Sequence, residues 1–345
     1  MNRAVLFLLS ALLASNAMAS ALEPAVVAQE QFERGDYTSA IETASMALGE
    51  NPHDARLFHW RSRSYMELKD YPNAVADAER AAAEQADSSE YRRWLGQAYG
   101  AAAEQGRSLS LARKVKVAFE QAVKLDPSNV DARRDLAEFY LQAPWIVGGN
   151  RGKALKEVTA IARLDPVAGY LAHASYSRHE RLLEEADADY QRALDLRPAR
   201  IDPYLDACEF YEERAEAAKL SHAAEGGGRV APGDVRLLYY QGVALVLANR
   251  DLIEANHFLR TYLASSPRRS DFPSHAAADH WLGRLNECLG DIDAAEEAYR
   301  AALALEPDRK SSRDALSRLE TSGLTGSLSH FTPALTRAGS LDHPN

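Results

Sequence analysis

The segment Trp281–Pro307, WLGRLNECLGDIDAAEEAYRAALALEP, contains two helical patterns separated by a glycine turn. Before Gly290 the apolar residues follow helical spacing, and after it small residues recur at Ala295 and Ala302. Glycine ends a helix well because it adopts the left-handed C-terminal cap without strain. Pro307 stops the second helix because it has no backbone N–H. The segment therefore predicts a helix–turn–helix unit whose two helices approach closely through small residues.

Segments with the same order of features recur along the chain. The turn Gly290-Asp291-Ile292 has counterparts at Gly35-Asp36-Tyr37 and Lys69-Asp70-Tyr71, and small residues follow each turn at helical spacing. The residues that close successive units lie 32 to 41 positions apart, at Pro52, Ala86, Pro127, Pro166, Pro198, Pro232, Pro267 and Pro307. A repeat of this length is typical of a solenoid, in which each unit packs against its neighbours.

These units resemble the tetratricopeptide repeat, a helix–turn–helix motif of about 34 residues. The resemblance implies an all-α fold, a right-handed superhelical solenoid of about eight repeats that ends in a capping helix. The predicted solenoid covers residues 22–320, with repeats near 21–54, 55–88, 89–129, 130–168, 169–200, 201–234, 235–269 and 276–309 and the cap at 311–320. Residues 321–345 are rich in Ser, Gly, Thr and Pro, and we predict a disordered tail there.

The sixth repeat has the weakest pattern. Its second helix is predicted to fray at Gly226-Gly227-Gly228, because glycine weakens a helix by about 1 kcal/mol relative to alanine.

Cys208 and Cys288 fall two repeats apart in this assignment. Helices that stack about 8–10 Å apart would separate the two by roughly 20 Å or more, whereas a disulfide needs Cα atoms within about 7 Å of each other. The cysteines are therefore predicted to be unpaired, and we interpret both as buried small residues.

The first residues have the order of regions found in a secretory signal peptide. Arg3 precedes an apolar stretch from Ala4 to Ala14, and Ala17-Met18-Ala19 offers the small residues of a cleavage site. Residues 1–19 are therefore predicted to be a signal peptide, with a buried first helix as the alternative. The mature protein is then expected in the periplasm or secreted, with no segment inserted in the membrane.

The chain is acidic, with 50 Asp and Glu residues against 40 Lys and Arg residues and a net charge of −10. A chain with this charge has no overall electrostatic attraction to nucleic acid. The charge therefore disfavours nucleic acid as a partner, and the resemblance to the tetratricopeptide repeat implies a protein or peptide instead.

No motif for catalysis or metal binding is complete in the sequence. His179-Glu180 begins like a zinc protease helix, but Leu183 stands where the second histidine is needed. The run Gly148–Lys153 lacks the spacing of a phosphate-binding loop, and the acidic stretch Glu184–Asp189 is typical of a solvated helix face. We therefore predict no catalytic residue, no metal and no cofactor.

A repeat array without a catalytic constellation predicts a non-enzymatic scaffold or adaptor for protein–protein interaction. The alternative is an accessory subunit of a cell-envelope enzyme or of a secretion or assembly machine. A cryptic enzyme or metal-binding protein is the third hypothesis, and stoichiometric metal in the purified chain would favour it. Architecture alone does not decide among these functions.

The resemblance also implies where a partner binds. In tetratricopeptide repeats the first helix of each unit lines a concave groove, and its second, fifth, ninth and twelfth positions commonly face the ligand. The corresponding candidates in this sequence are Arg56, His59, Arg63, Arg93, Arg134, Tyr239 and Arg284. Because arginine pairs with carboxylates through a planar fork, we expect an acidic segment or a free C-terminus as the ligand. A solvated face of mixed charge without a specific ligand is the alternative.

A loop in the fourth repeat contains three large apolar residues, Trp145, Ile146 and Val147, between Pro144 and Gly148. One interpretation is that Trp145 folds back and covers the edge of the solenoid. The other is that the loop presents an aromatic anchor to a partner, because exposed tryptophan is frequent among the residues that dominate binding energy.

Overall fold

The computed structural model describes residues 23–329, with side chains through residue 321. This range forms seventeen α-helices and one short 3-10 helix, and it contains no strand. The predicted all-α fold is confirmed. The predicted signal peptide, residues 1–19, lies outside the described residues. No helix in the described range combines the length and the apolar character needed to cross a membrane.

The helices follow one another as eight antiparallel pairs and a final single helix. The first four pairs are α1 (Pro24–Glu33) and α2 (Tyr37–Glu50), α3 (Ala55–Glu67) and α4 (Tyr71–Glu84), α5 (Ser89–Gly106) and α6 (Leu109–Leu125), and α7 (Val130–Gln142) and α8 (Arg151–Leu164). The next four pairs are α9 (Pro166–His179) and α10 (Leu183–Asp195), α11 (Asp202–Glu213) and α12 (Ala217–Val230), α13 (Arg236–Leu247) and α14 (Leu252–Ser265), and α15 (His275–Leu289) and α16 (Ile292–Leu305). The 3-10 helix, Trp145–Val147, precedes α8, and α17 (Lys310–Ser329) ends the array.

The Gly-Asp turns work as the sequence predicts. Gly35 and Gly290 have φ angles of +80° and +78°, the left-handed conformation that ends the first helix of a pair. The aspartate that follows starts the second helix, because its side chain accepts a hydrogen bond from a backbone N–H of the first turn. Asp36 accepts from the N–H of Ser39, and Asp291 accepts from that of Ala294.

Small residues set the distance between the two helices of a pair. Ala295 and Ala302 are fully buried in α16. A Cβ atom placed on Gly283 of α15 would lie 2.4 Å from the ring of Tyr299 on α16. The ring of Tyr299 therefore occupies the space that a larger residue at position 283 would need, as in a close-packed interior.

The fifth pair begins earlier than the sequence pattern predicts. Pro166 was expected to close the fourth repeat, with the fifth starting near residue 169. Instead Pro166 is the first residue of α9, and the carboxylate of Asp165 caps that helix through the N–H groups of Val167 and Ala168. Proline favours the first helical position because its missing N–H has no partner there in any case. The boundary is thus wrong by three residues.

Two other boundaries also differ from the predictions. Helix α12 continues through Gly226–Gly228 to Val230, so the expected fraying is wrong. A Cβ atom on Gly226 would lie 2.5 Å from the ring of Tyr204, and this close packing favours a glycine inside the helix. Helix α17 continues nine residues beyond the predicted cap, to Ser329, so the predicted tail is helical at its start. The rest of that tail, residues 330–345, lies outside the described residues.

The two cysteines are unpaired, and their environments differ. Cys208 is buried inside α11, as predicted, and burial raises the pKa of its thiol. Cys288 is exposed, which corrects the prediction that both are buried. It lies in the last turn of α15, where the helix ends at Gly290.

The chain divides into two compact units. Among the described residues, the N-terminal unit contains 23–207 together with 226–232 and 267–271, and the C-terminal unit contains 208–225, 233–266 and 272–329. A core cluster of the N-terminal unit includes Tyr99, Phe119 and Tyr140. In the C-terminal unit Tyr299 packs with Leu319 of α17, so the last helix covers the last pair.

Segment 267–271 packs against the first two helix pairs, within the N-terminal unit. The hydroxyl of Tyr37 donates a hydrogen bond of 2.9 Å to the carbonyl of Arg268. Ser270 donates to the carboxylate of Glu67 from its backbone N–H at 2.9 Å and from its hydroxyl at 2.8 Å. These bonds fix the segment beside α2 and α3.

Candidate functional site

Helix α3 carries the three N-terminal candidates for the groove, and they lie on one side of the helix. Arg56, His59 and Arg63 follow at spacings of three and four residues, which brings side chains to the same face. The helix begins at Ala55 because the carboxylate of Asp54 accepts a hydrogen bond from the N–H of Arg56. The structure therefore brings these three residues together, but it gives each a different environment.

The guanidinium group of Arg63 lies against three aromatic rings. Its central carbon is 4.6 Å from the centroid of the Phe32 ring, 4.8 Å from that of Trp60 and 5.4 Å from that of Trp94. At these distances a cation is attracted to the electron-rich face of each ring. We refer to Phe32, Trp60, Arg63 and Trp94 as the aromatic–arginine cluster.

Arg63 forms no ion pair with any carboxylate among the described residues, and its Nε atom is buried without a hydrogen-bond partner. Burial lowers the pKa of the guanidinium, and the nearby cations Arg269 and Arg93 lower it further against the opposing effect of Asp271 and Glu90. Arginine nevertheless stays charged in proteins. The cluster thus contains a desolvated positive charge that the rings balance only in part.

His59 lies inside the cluster and does not face a partner, which corrects its assignment as a groove contact. Its side chain is only 7% exposed, and its ring lies 5.2 to 5.6 Å from those of Trp60, Tyr91 and Trp94. Burial lowers the pKa of His59 to about 3, helped by the charges of Arg63 and Arg93. The imidazole is therefore neutral at physiological pH and packs as an aromatic ring.

The position of Trp94 is fixed by a hydrogen-bond chain. Its Nε1 donates to the hydroxyl of Ser62 at 2.7 Å, and that hydroxyl donates to the carbonyl of Ala74 at 2.7 Å. Since Ser62 and Ala74 are buried, the chain holds the indole in one orientation. Preorganisation of this kind lowers the entropy that binding must lose.

The other predicted arginines of this unit already have carboxylate partners. Arg56 bonds Glu23 and Asp54. Arg93 donates to Glu90 at 3.0 Å and to Asp135 at 3.2 Å. These hydrogen bonds raise the pKa of Arg56. Burial lowers the pKa of Arg93, but the hydrogen bond with Glu90 and the charge of Asp135 outweigh it, so its pKa is raised as well. Neutralisation within the chain leaves these arginines less suited to an added anion.

Arg134 lies farther along the unit, on α7. Its guanidinium is 3.5 Å from a carboxylate oxygen of Asp206, and the Arg134 side chain remains about half exposed. Burial raises the pKa of Asp206, while Arg134 lowers it. This pair is longer than the contacts of Arg56 and Arg93, so Arg134 is only loosely neutralised.

In the C-terminal unit, Tyr239 is buried and not a surface contact, which corrects the second groove assignment. Its hydroxyl donates to Glu212 at 2.5 Å, and Trp281 Nε1 donates to the same carboxylate oxygen at 2.8 Å. Burial raises the pKa of Glu212 against the lowering effect of these hydrogen bonds. Glu212 therefore organises the interior of this unit.

Arg284, by contrast, lies over the ring of Trp281 with its guanidinium carbon 5.2 Å from the centroid.

The loop before α8 exposes its tryptophan. Trp145 is 85% exposed and Ile146 is also exposed, whereas Val147 is 3% exposed and anchors the loop. Gly149 permits the tight turn, because a Cβ atom there would lie 1.7 Å from the carbonyl oxygen of Ala143. The interpretation that Trp145 covers the edge of its own solenoid is therefore wrong, and the apolar loop faces outward.

The rings of the aromatic–arginine cluster were missed by sequence reasoning. Phe32, Trp60 and Trp94 come from three different helices, so their meeting depends on the packing of successive repeats. Large residues are expected to fill the space between successive layers of helices. That expectation could have indicated the rings, but it does not say which charged residue they surround. No group of three or more potential metal ligands is present in the described part of the chain.

Two stretches of the sequence match the family model of the tetratricopeptide repeat, residues 27–90 and residues 280–309. The first match includes α3 with Arg63, and the second includes the turn at Gly290. No curated protein matches the sequence.

The comparison with solved structures gives several similar chains. The Cut9–Hcn1 hetero-tetramer of the APC/C is 13% identical with a TM-score of 0.50, over 85% of this chain and 54% of that one. The pilF protein of Pseudomonas aeruginosa is 16% identical with a TM-score of 0.45, over 67% and 97%. Yeast Tom70 is 13% identical with a TM-score of 0.40, over 92% of both chains. Together with the eight helix pairs, the family matches and the first of these structures confirm the predicted helical solenoid.

Proposed function

We propose that this chain, a tetratricopeptide-repeat protein, is a non-enzymatic interaction scaffold whose N-terminal unit binds an acidic segment of a partner protein. The observation that carries the proposal is the desolvated guanidinium of Arg63. It lies on three aromatic rings, with a buried Nε that has no partner among the described residues. A carboxylate from a partner supplies the missing negative charge beside this guanidinium.

The energetic reason concerns the unbound state. A buried polar atom without a hydrogen bond costs free energy, and a charged group costs more than a neutral one. When a partner carboxylate reaches Arg63, the cost of desolvating the arginine has already been met in the free protein. Added attraction between the two charges then appears as binding affinity, and the surrounding rings exclude water from the contact.

The surroundings of Arg63 also favour an anion over a cation. Arg269 and Arg93 add positive potential at the cluster, although Asp271 and Glu90 oppose part of it. Arg93 and Arg269 are each held by carboxylates of the chain, Arg93 by Glu90 and Asp135 and Arg269 by Asp271. The partner is therefore expected to place an acidic side chain or its terminal carboxylate next to apolar residues that contact the rings.

The exposed loop at Trp145 is the second proposed contact with a partner. Exposed tryptophan contributes large apolar area on binding, and this one is held on a turn fixed by the buried Val147.

We further propose that the mature protein acts in the periplasm or outside the cell, as the first nineteen residues of the sequence indicate. Fractionation of cells that produce the full chain tests this location, and a mature chain retained in the cytoplasm would contradict it.

Selection from a random peptide library on the purified protein tests the binding function. We expect the enriched peptides to carry Asp, Glu or a free C-terminus beside aromatic or aliphatic residues. A parallel selection on the Arg63→Glu variant is expected to lose these peptides. Enrichment of the same acidic peptides by both proteins, or of none by either, would contradict the proposal.

A further inference from the structure

A cavity of about 370 Å³ opens in the N-terminal unit between α8 and α9. Its walls are mainly apolar side chains, including Leu155, Val158, Pro166 and Tyr170. The two helices are held together beside it by a close contact, since a Cβ atom on Gly169 would lie 2.5 Å from the Cα of Ala162. Its volume lies in the range of cavities that bind small molecules.

One end of the cavity is polar and built around a buried carboxylate. His173 of α9 and Asp189 of α10 both line it, and His173 Nδ1 lies 2.5 Å from Asp189 Oδ2. The Asp189 side chain is 4% exposed, and its other oxygen accepts a hydrogen bond of 3.1 Å from Arg192. Two charge-assisted bonds therefore fix the carboxylate, and through it the imidazole.

The hydrogen-bond chemistry decides which nitrogen of His173 remains for a ligand. An ionised carboxylate only accepts hydrogen bonds, so Nδ1 of the imidazole is the donor to Asp189. Nε2 is then the nitrogen that Asp189 does not engage. In the neutral ring Nε2 accepts a hydrogen bond, and in the protonated ring it donates one.

A carboxylic acid can pair with either protonation state of His173, because one proton lies between the acid and Nε2 in both cases. Its O–H donates to neutral Nε2, and its carboxylate accepts from protonated Nε2. The apolar walls suit a hydrocarbon chain. We propose that this cavity binds a small free monocarboxylic acid, with its carboxyl group at His173 and its apolar chain along Leu155 and Val158.

This site is separate from the aromatic–arginine cluster and does not depend on the proposed function. On α9, Ser175 donates to Glu138 of α7 at 2.8 Å. His173 lies two residues before Ser175, so its side chain leaves α9 on a face nearly opposite to the one that contacts α7. The cavity is lined by α8, α9 and α10, whereas the cluster is formed by α1, α3 and α5.

Titration of the full chain with octanoate, followed by the methyl NMR signals of Leu155 and Val158, tests the proposal. We expect saturable shifts with a Kd of about 1 mM or tighter. The His173→Phe variant keeps a ring of similar size but removes Nε2, and it should bind at least about tenfold more weakly. The His53→Phe variant is the matched control, because His53 also pairs through Nδ1 with a carboxylate, Glu84 at 3.0 Å, but lies outside the cavity. It should bind as the wild type does.

A second variant guards against loss of folding at His173. Thr159 is exposed at the cavity wall, so Thr159→Phe fills the space without changing the core and should abolish the shifts. Octan-1-ol lacks the carboxyl group and should bind at least about tenfold more weakly than octanoate. The proposal is overturned if octanoate does not saturate, if octan-1-ol binds equally well, or if Thr159→Phe has no effect. Tighter binding of an acetylated tetrapeptide ending in leucine than of octanoate would overturn the assignment to a small free acid.

Discussion

The guanidinium carbon of Arg63 lies 4.8 Å from the centroid of the Trp60 ring, one helical turn away on α3. Phe32 and Trp94 complete the surroundings from α1 and α5, so the cluster spans three successive helix pairs. The arginines on either side have carboxylate partners within the chain, which leaves Arg63 as the favoured position for an external anion. The proposed binding role depends on this arrangement.

Replacing Arg63 with methionine is expected to separate binding from stability. Methionine keeps the apolar stem and its contacts with the rings. The lost cation–π attraction and the relieved desolvation act in opposite directions, so the free energy of unfolding should change by less than about 1 kcal/mol. Urea denaturation measures this change. A loss of several kcal/mol would show that the cluster mainly stabilises the fold.

The burial of His59 predicts acid sensitivity. Its pKa is about 3 in the folded chain and near 6.5 when unfolded, so the unfolded state binds the extra proton first as pH falls. The stability from neutral His59 is full above about pH 6.5, falls as pH drops from 6.5 toward 3, and changes no further below that. Between pH 6.5 and pH 5 the loss should be about 2 kcal/mol.

The His59→Phe variant isolates this effect from the other titrating groups, including His280, whose pKa burial lowers to about 4. Urea denaturation of both proteins at pH 7 and pH 5 gives the comparison. The variant should lose about 2 kcal/mol less than the wild type over this interval. Equal losses would mean that His59 is not buried as a neutral ring.

Two glycine substitutions test the packing of the helix pairs. Gly283→Ala places a methyl group where the ring of Tyr299 lies, so we expect a loss of about 1–3 kcal/mol in the free energy of unfolding. Gly100 is also inside a helix, but nothing lies within 4 Å of a Cβ atom there. Gly100→Ala should therefore stabilise the protein by up to about 1 kcal/mol. Thermal denaturation reports both changes, and the same sign for the two variants would contradict the packing.

The loop at Trp145 gives a similar contrast between neighbours. Trp145→Ala removes an exposed ring and should change the free energy of unfolding by less than about 0.5 kcal/mol. Val147→Ala shortens the buried anchor of the same loop and should cost about 1–3 kcal/mol. Chemical denaturation of the two variants measures the difference. A larger loss for Trp145→Ala would mean that its ring is packed in solution.

The sequence predicts the helix pairs well, because each turn is encoded locally. Gly35 and Gly290 end one helix, and the aspartate after each starts the next. Local rules fail where one residue type fits two different positions in a repeat. Pro166 was assigned to the end of a repeat, yet proline fits the first position of a helix equally well.

The candidate site was harder to predict, because helical position does not determine exposure. His59 and Tyr239 occupy positions that face the groove in related repeats, but here both are buried by aromatic neighbours. The cavity at His173 and Asp189 depends on the packing of three helices and has no local signal in the sequence.

The central claim is that Arg63 anchors an acidic segment, and fluorescence anisotropy with a labelled acidic peptide from the library selection tests it most directly. Arg80→Met is the matched control, because Arg80 also lies over an aromatic ring, 5.3 Å from the centroid of Phe58, but is paired with Glu84. We predict that Arg63→Met raises the Kd at least about tenfold, equivalent to ~1.4 kcal/mol, while Arg80→Met leaves it unchanged. Equal affinity of the wild type and Arg63→Met would contradict the account.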